Sequence, residues 1–429
     1  MNEVIANQKF WNRVAWLICI FIIAIVAYLP AFQLEWIWDD DQYVTENALI
    51  RNWEELYRIW FEPSASPQYY PTVFSVLWLQ FQFFGLNPIV FHATNVILHA
   101  ITALLVYRIV SDLKLPWPFW IALAFAVHPM QVESVAWVTE LKNVLSGLFY
   151  ACAWIVLWPT VSLEGEQTVA SAGKKRETTW NLSTQAAILL GLLLFALALL
   201  SKSVTASLPA GMLVALWFKY GKLPQRSLAI LLPMLLVGAA MGWNTARIER
   251  LHVGAEGADW SYGFLDRIGI AAHCLVHYAW QLVLPFEQVF FYKRFATSFW
   301  DPANLFCASL CGALIVAFGF LARAGNRGPL AACLFFAGSA FPALAAFGLG
   351  TLASEQSDWS TAETWFQKAL ELKPTDLDSQ YNRAYALLRL GRNREADDLC
   401  IAMIRSNPRD REVLALRKQI GIVSSERSQ

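Results

Sequence analysis

Along most of the chain the apolar residues neither alternate nor recur at helical spacing; they run on in blocks. Such blocks lie near residues 14–34, 88–110, 117–130, 143–158, 184–200, 204–219, 227–244, 268–285, 303–322 and 329–350. A helix needs about 20 mostly apolar residues to cross a hydrocarbon core about 30 Å thick, because every backbone amide there must be satisfied inside the helix. The pattern therefore predicts about ten membrane spans. The first block follows Lys9 and Arg13 and is longer than the ~7–15 residue core of a signal peptide, so it is expected to remain as the first span. Residues 70–86, YPTVFSVLWLQFQFFGL, are apolar but rich in aromatics, which suits a helix lying along the membrane surface.

Beyond residue 350 the pattern changes to mixed, charged helices. Ala362, Phe366, Ala369 and Pro374 fill the small, large, small and helix-breaking places of a tetratricopeptide unit, and Ala396 and Pro408 lie 34 residues beyond Ala362 and Pro374. That spacing is the period of the repeat. The predicted fold is thus all-α: a polytopic membrane bundle over residues 1–350, then a short α-hairpin array of about two units over 351–429. Such arrays usually need about three repeats to stand alone. The tail is expected to lean on the membrane region or on another chain.

Composition agrees with a membrane protein: 57% of the residues are apolar and only 15% charged, too greasy for an ordinary soluble chain. The formal net charge is zero, so nothing points to a nucleic-acid partner. Six of the seven cysteines fall in apolar blocks, and Cys400 sits alone in the tail; all read as small buried hydrophobes. There is no Gly-rich phosphate loop and no G-x-S-x-G elbow, which argues against soluble-type nucleotide chemistry.

Lysine and arginine collect on the cytoplasmic side. Lys9 and Arg13, Arg108 and Lys114, Lys174 to Arg176, and Lys219, Lys222 and Arg226 then belong inside, and the segments 35–87, 128–143, 201–203 and 245–266 outside. Three carboxylates, Asp39, Asp40 and Asp41, follow the first span directly, where acids at a membrane edge mark functional sites. One can act as a base toward a hydroxyl while a neighbour, Asp40 or Asp41, holds a divalent cation such as Mg or Mn. They also fit a plain helix cap. The second outer segment carries His128, Glu133, Glu140, Lys142 and Asn143, as ligands in the same cleft or as the wet edge of a hairpin. Lys202 sits where an ammonium can pair with a lipid phosphate or simply snorkel. His273 and His277 stand four apart, but no third metal ligand lies nearby in sequence.

Several strings resemble one family in order: WDDDQYVTEN, IRNWEELYRIWFEP, PQYYPTVFSVLW, GLNPIVFHATNVILHAITALLVYRI, FAVHPMQVESVAWVTELKNVLSGLFY, LLSKSVTASLP and RLHVGAEGADW. They are similar to the bacterial relatives of the transmembrane and tetratricopeptide-repeat-containing O-mannosyltransferases, which are glycosyltransferases of the GT-C class. The resemblance covers most of residues 30–345 and the repeats. It implies a polyprenyl-phosphate-linked sugar as donor and a hydroxyl acceptor, often protein Ser or Thr, on the outer face of a bacterial inner membrane. It also implies Asp39 or Asp40 as general base, an interfacial helix beginning near Tyr70, and Lys202, Arg294 and Tyr70 as residues that bind the donor or its phosphate. Two departures stand out. Many relatives have Asp where this chain has Asn143, and the chain passes from Phe347–Gly350 straight into the repeats where relatives continue with further spans. The second departure leaves a rival expectation, a membrane-anchored repeat scaffold that binds protein partners without catalysis.

Overall fold

In the computed structural model, residues 2–62, 65–66, 68–163, 183–253, 263–286, 295, 298–350, 363, 367, 370, 377–406, 413, 416–418 and 420–421 are described, and no strand forms among them. The fold is all-α and polytopic. The chain divides into two units, Met1–Thr245 with Tyr262–Ala346, and Phe347–Gln429 with Ala246–Ser261.

The first unit runs α1 (Asn2–Ala27), α2 (Glu55–Phe61), α3 (Pro71–Phe84), α4 (Pro88–Asp112), α5 (Pro118–Val127), α6 (Val132–Ala136) and α7 (Leu141–Val161). It continues with α8 (Thr184–Ser201), α9 (Leu208–Tyr220), α10 (Gln225–Val253), α11 (Phe264–Val283), α12 (Pro302–Arg323) and α13 (Gly328–Gly350). Local chemistry sets many of the starts. Proline opens α3, α4, α5 and α12, where its missing N–H costs nothing. Asn87, Ser183 and Asp301 accept a backbone N–H at the heads of α4, α8 and α12, relieving amides that have no partner within the helix.

Six described helices are long and apolar enough to cross a membrane: Phe10–Ala27, Pro88–Asp112, Val138–Val161, Thr184–Ser201, Gln225–Gly242 and Pro302–Arg323. The other four apolar blocks depart from the expected ten for distinct reasons. Block 117–130 bends by 51° between Pro118–Val127 and Pro129–Ala136, because Pro129 cannot donate into the helix and disfavours helical backbone at His128; taken together, the pair makes a seventh span. Block 204–219 spends its start on the 3₁₀ turn Ser203–Ser207 and leaves only 13 residues for α9. In block 268–285, α11 is long enough but carries Asp266, Arg267, His273, His277 and Gln281. Block 329–350 contributes the shorter apolar stretch Gly328–Ala340.

Helix α4 packs on α1, α5 and α7. Its contact with α1 and α5 sets the small residues Ala24, Ala100, Ala103, Ala122 and Ala126 among larger ones such as Ile20 and Tyr107, and the small residues let apolar helices approach closely. Helices α7 and α8 share the most extensive contact, and Gly191 lies there directly against the Leu157 side chain. The segment 35–87 builds a core of its own: Tyr43, Val44, Leu49, Ile50, Ile59, Val73, Phe74 and Leu77 close over Phe91, Val138, Leu141 and Leu145. Helix α3 has 14 residues, about 21 Å at 1.5 Å per residue, too short to span. Its side chains instead pin the loop, Trp78 Nε1 to the Asn52 carbonyl at 2.9 Å and Gln82 Nε2 to the Ile50 carbonyl at 2.9 Å.

In the second unit, α14 (Leu377–Arg389) and α15 (Asn393–Ser406) form an antiparallel pair. Leu387, Leu388, Ala396, Cys400 and Met403 pack with Val413, Leu416 and Ile420. Gly391 turns the chain between the two helices at φ +75°, a backbone that only glycine adopts without cost. The buried Glu363 carboxylate receives Arg383 at 2.8 Å and Arg392 at 3.5 Å.

Candidate active site

The three adjacent aspartates have different surroundings. Trp38 takes a left-handed backbone, φ 48°, which side chains with a Cβ rarely adopt. The chain then folds back, with the Asp40 N–H donating to the Ile37 carbonyl at 3.0 Å and the Tyr43 N–H to the Asp39 carbonyl at 3.0 Å. After that turn Asp39 is half-buried, Asp40 is fully buried and Asp41 is exposed.

Asp40 receives three donors. Its Oδ2 accepts the Ile37 N–H at 2.9 Å, and its Oδ1 accepts both the Thr139 N–H at 2.9 Å and the Thr139 hydroxyl at 2.5 Å. Burial pushes the Asp40 carboxyl above the usual carboxylate range, and these donors pull it back. His92, also fully buried, is close enough to favour the Asp40 charge. Asp41 lies outside this pocket, its Oδ1 accepting the Thr45 hydroxyl at 2.9 Å.

Asp39 lies within electrostatic range of a cluster from the segment 128–143. Burial raises its carboxyl above the usual range; the Lys142 ammonium lowers it, Glu140 and Asp40 raise it, and a hydrogen bond from the Trp38 side chain favours the carboxylate. Glu140, at the 3₁₀ turn Val138–Glu140 that leads into α7, is bracketed by two ammoniums: Lys142 Nζ at 2.9 Å and Lys202 Nζ at 3.9 Å. Asn143 completes the bracket. It donates to Glu140 Oε2 and, at 2.9 Å, to the Ser134 hydroxyl, while its carbonyl accepts Lys202. Lys142 also lies 5.6 Å above the Tyr43 ring, whose hydroxyl donates to Gln68 at 2.8 Å. The Lys142 ammonium thus favours the Asp39 carboxylate, while Glu140 and Asp40 oppose it.

The remaining predicted residues distribute as follows. Glu133 is exposed on α6, within electrostatic range of Glu140, Lys202 and Lys142. Tyr70 is buried in the core of the segment 35–87 and caps α3 through its carbonyl. His128 stays out of the cluster: Nδ1 accepts the Met130 N–H at 3.3 Å, and Nε2 meets the Leu282 carbonyl at 2.9 Å. Arg294 lies outside the described residues. His273 Nδ1 pairs with Asn304 Oδ1 at 2.7 Å. Sequence reasoning missed Thr139, Ser134 and Trp38. A threonine directly before Glu140 is a weak hint at best, and no residue preference marks a tryptophan for the left-handed region.

A cation shared by Asp40 and Asp41 does not fit this donor set. Both Asp40 oxygens are engaged by hydrogen-bond donors, Asp41 is outside the pocket, and among the described residues no group of three His, Cys, Asp or Glu side chains is arranged to hold a metal. No chemical step below passes through one.

Residues 353–420 match the tetratricopeptide repeat family. Over 154 residues the chain is 23% identical to a protein O-mannosyl-transferase of Caenorhabditis elegans, an alignment that covers 33% of this chain and 22% of that protein. Over 74 residues it is 39% identical to a protein O-mannosyl-transferase of Mus musculus and 38% identical to one of Homo sapiens, each alignment covering 17% of this chain and 8% of the relative. The chain thus spans less than a quarter of the length of these relatives. No solved structure matches it. The chain is therefore a polytopic membrane protein with a tetratricopeptide tail, distantly similar to proteins named as O-mannosyl-transferases.

Proposed function

We propose that the chain is a membrane glycosyltransferase of the GT-C type. It moves a sugar from a polyprenyl-phosphate donor to a hydroxyl acceptor, such as a protein Ser or Thr, on the outer face of a bacterial plasma membrane. The observation that carries this reading is the junction of two loops about 100 residues apart in sequence: Thr139 donates to Asp40, which sets the neighbouring Asp39 within electrostatic range of the doubly bracketed Glu140. In the proposed step the Asp39 carboxylate takes the proton of the acceptor hydroxyl as its oxygen bonds to the anomeric carbon. The bond from that carbon to the phosphate oxygen breaks, and polyprenyl phosphate leaves with the electron pair. Lys202 and Lys142 offset the charge that develops on the leaving phosphate, where fixed cations are most effective. A half-buried carboxylate with raised proton affinity is a better base than a solvated one. The resemblance in the loop sequences and the relatives' names support the reaction class. The tetratricopeptide tail supports a bound protein partner.

The test is transfer of labelled sugar from a polyprenyl-phosphate donor in membranes that contain the chain. Transfer lost in Asp39→Asn and weakened in Lys202→Met supports the reading; transfer unchanged in Asp39→Asn removes it.

A further inference from the structure

Two neighbouring carboxylates at one site invite a shared chemical role, but only one of them is reachable. A base must come within about 3 Å of the hydroxyl it deprotonates. Asp40 has no exposed surface, while Asp39 beside it does. The acceptor capacity of Asp40 is also largely used, since each oxygen already takes at least one backbone N–H and one takes a hydroxyl as well.

Those bonds span a long separation. Ile37 and Asp40 belong to the segment that follows the first span, and Thr139 lies 99 residues further on, in the turn that opens into α7. On each strand of this junction the next residue belongs to the site: Asp39 precedes Asp40, and Glu140 follows Thr139. A shift of Thr139 relative to Asp40 therefore moves Glu140, and with it Lys142, Asn143 and Lys202, relative to Asp39. A second bond flanks the first, Trp137 Nε1 to the Ile37 carbonyl at 3.3 Å, and Asn95 of α4 holds the Trp137 carbonyl at 2.9 Å. The left-handed turn at Trp38 lies between these anchors. Such strained backbone persists only where its surroundings hold it.

We propose that Asp40 is the positioning residue of the site: its buried carboxylate staples the first outer loop to Thr139 and so holds Asp39 opposite the bracketed Glu140. The staple exploits a general asymmetry. A buried carboxylate with several donors is bound firmly through charge-assisted hydrogen bonds, whereas the same group without them is costly to bury. The loops therefore have one arrangement in which Asp40 is satisfied, and that arrangement is the one that assembles the site. The kinetic part of the inference rests on the proposed glycosyl transfer; the structural part does not.

Two experiments separate these parts. In the first, Val138→Cys, a position only 1% exposed in the parent, is treated with a membrane-impermeant maleimide and read by peptide-resolved mass spectrometry. The staple predicts protection in an otherwise unaltered chain and labelling in the Asp40→Ala background, with both proteins monodisperse in detergent. Continued protection in Asp40→Ala overturns it.

The second experiment is kinetic and covers the case in which Asp40→Ala does not fold. Thr139→Val removes the hydroxyl donor but keeps the backbone one; it is expected to lower kcat about tenfold at unchanged donor KM, the worth of one charge-assisted hydrogen bond. Thr139→Ser restores the parent kcat. Asp40→Asn retains measurable transfer, and its acid limb moves to lower pH, since the Asp40 charge acts together with Glu140, and against Lys142, on Asp39. If Asp40→Asn is as inactive as Asp39→Asn while Thr139→Val keeps the parent kcat, Asp40 acts chemically and the proposal is wrong. Absence of transfer in every protein, the parent included, would count against glycosyl transfer, and the labelling result alone would then decide the staple.

Discussion

Removing the Glu140 charge while keeping its shape tests whether electrostatics or packing holds the site together. Glu140 lies 2.9 Å from Lys142 and 3.9 Å from Lys202, with only 9% of its side chain exposed. At an effective dielectric constant near 20 these separations correspond to gross attractions of about 6 and about 4 kcal/mol. Most of that offsets the desolvation of three charges, so the measurable quantity is what remains when one partner is lost, roughly 3–5 kcal/mol for a buried pair. Glu140→Gln keeps an acceptor for the Asn143 amide but leaves two ammoniums facing each other. In detergent, with a thiol-reactive dye reporting exposure of the buried Cys274 and Cys307, its unfolding midpoint is expected to drop on the order of 10 °C. Lys142→Met costs less, because Lys202 still neutralises the carboxylate. The decisive number is the coupling. Glu140→Gln in the Lys142→Met background should destabilise by at least about 1 kcal/mol less than in the parent, as contacting charges do. Strictly additive losses would refute the bracket as an electrostatic unit.

Three further expectations concern the site, the bundle and the tail. Because burial raises the Asp39 carboxyl, transfer should fall as pH drops through its elevated pKa. Lys142→Met, which removes a cation that favours the carboxylate, should move this acid limb to higher pH, and Glu140→Gln should move it to lower pH; a pH–kcat profile checks both signs. Gly191→Ala places a Cβ directly against the fully buried Leu157 side chain, so the α7–α8 contact should lose about 1–3 kcal/mol to overpacking. The Gly191→Ala, Leu157→Ala double variant should lose less than the sum of the two single losses, and additive losses would refute the contact. In the tail, Leu387→Ala empties a side chain that is 1% exposed in the repeat core, costing about 2–5 kcal/mol, and should make the bonds after Arg389 and Arg392 susceptible to trypsin while the membrane unit resists.

Much of this fold could be read directly because lipid imposes a long-wavelength pattern. A run of apolar residues such as 303–322 maps onto α12 with little ambiguity, and the 34-residue spacing from Ala362 to Ala396 locates the repeat. Hydropathy fails where a short feature interrupts a run. Pro129 bends block 117–130, and the 3₁₀ turn Ser203–Ser207 shortens the next helix. The site was legible in part. Its acidic head and the polar residues after His128 stand out against apolar flanks, but adjacency in sequence cannot say which of three aspartates is buried. That depends on the dihedral angle at Trp38, for which tryptophan carries no signal. The pairing of Lys202 with Asn143, 59 residues away, and of Asp40 with Thr139 is likewise tertiary. His128 shows the converse: a polar residue in the right segment whose ring is engaged at the helix bend, with Met130 and Leu282.

The central claim is that Asp39, held against the bracketed Glu140, serves as the base for glycosyl transfer. Labelled sugar transfer from a polyprenyl-phosphate donor, measured with purified parent and Asp39→Asn proteins of equal thermal midpoint, tests it most directly. Turnover is expected in the parent, with a loss of about 10²–10⁴-fold in the variant. Equal turnover in both proteins would contradict it.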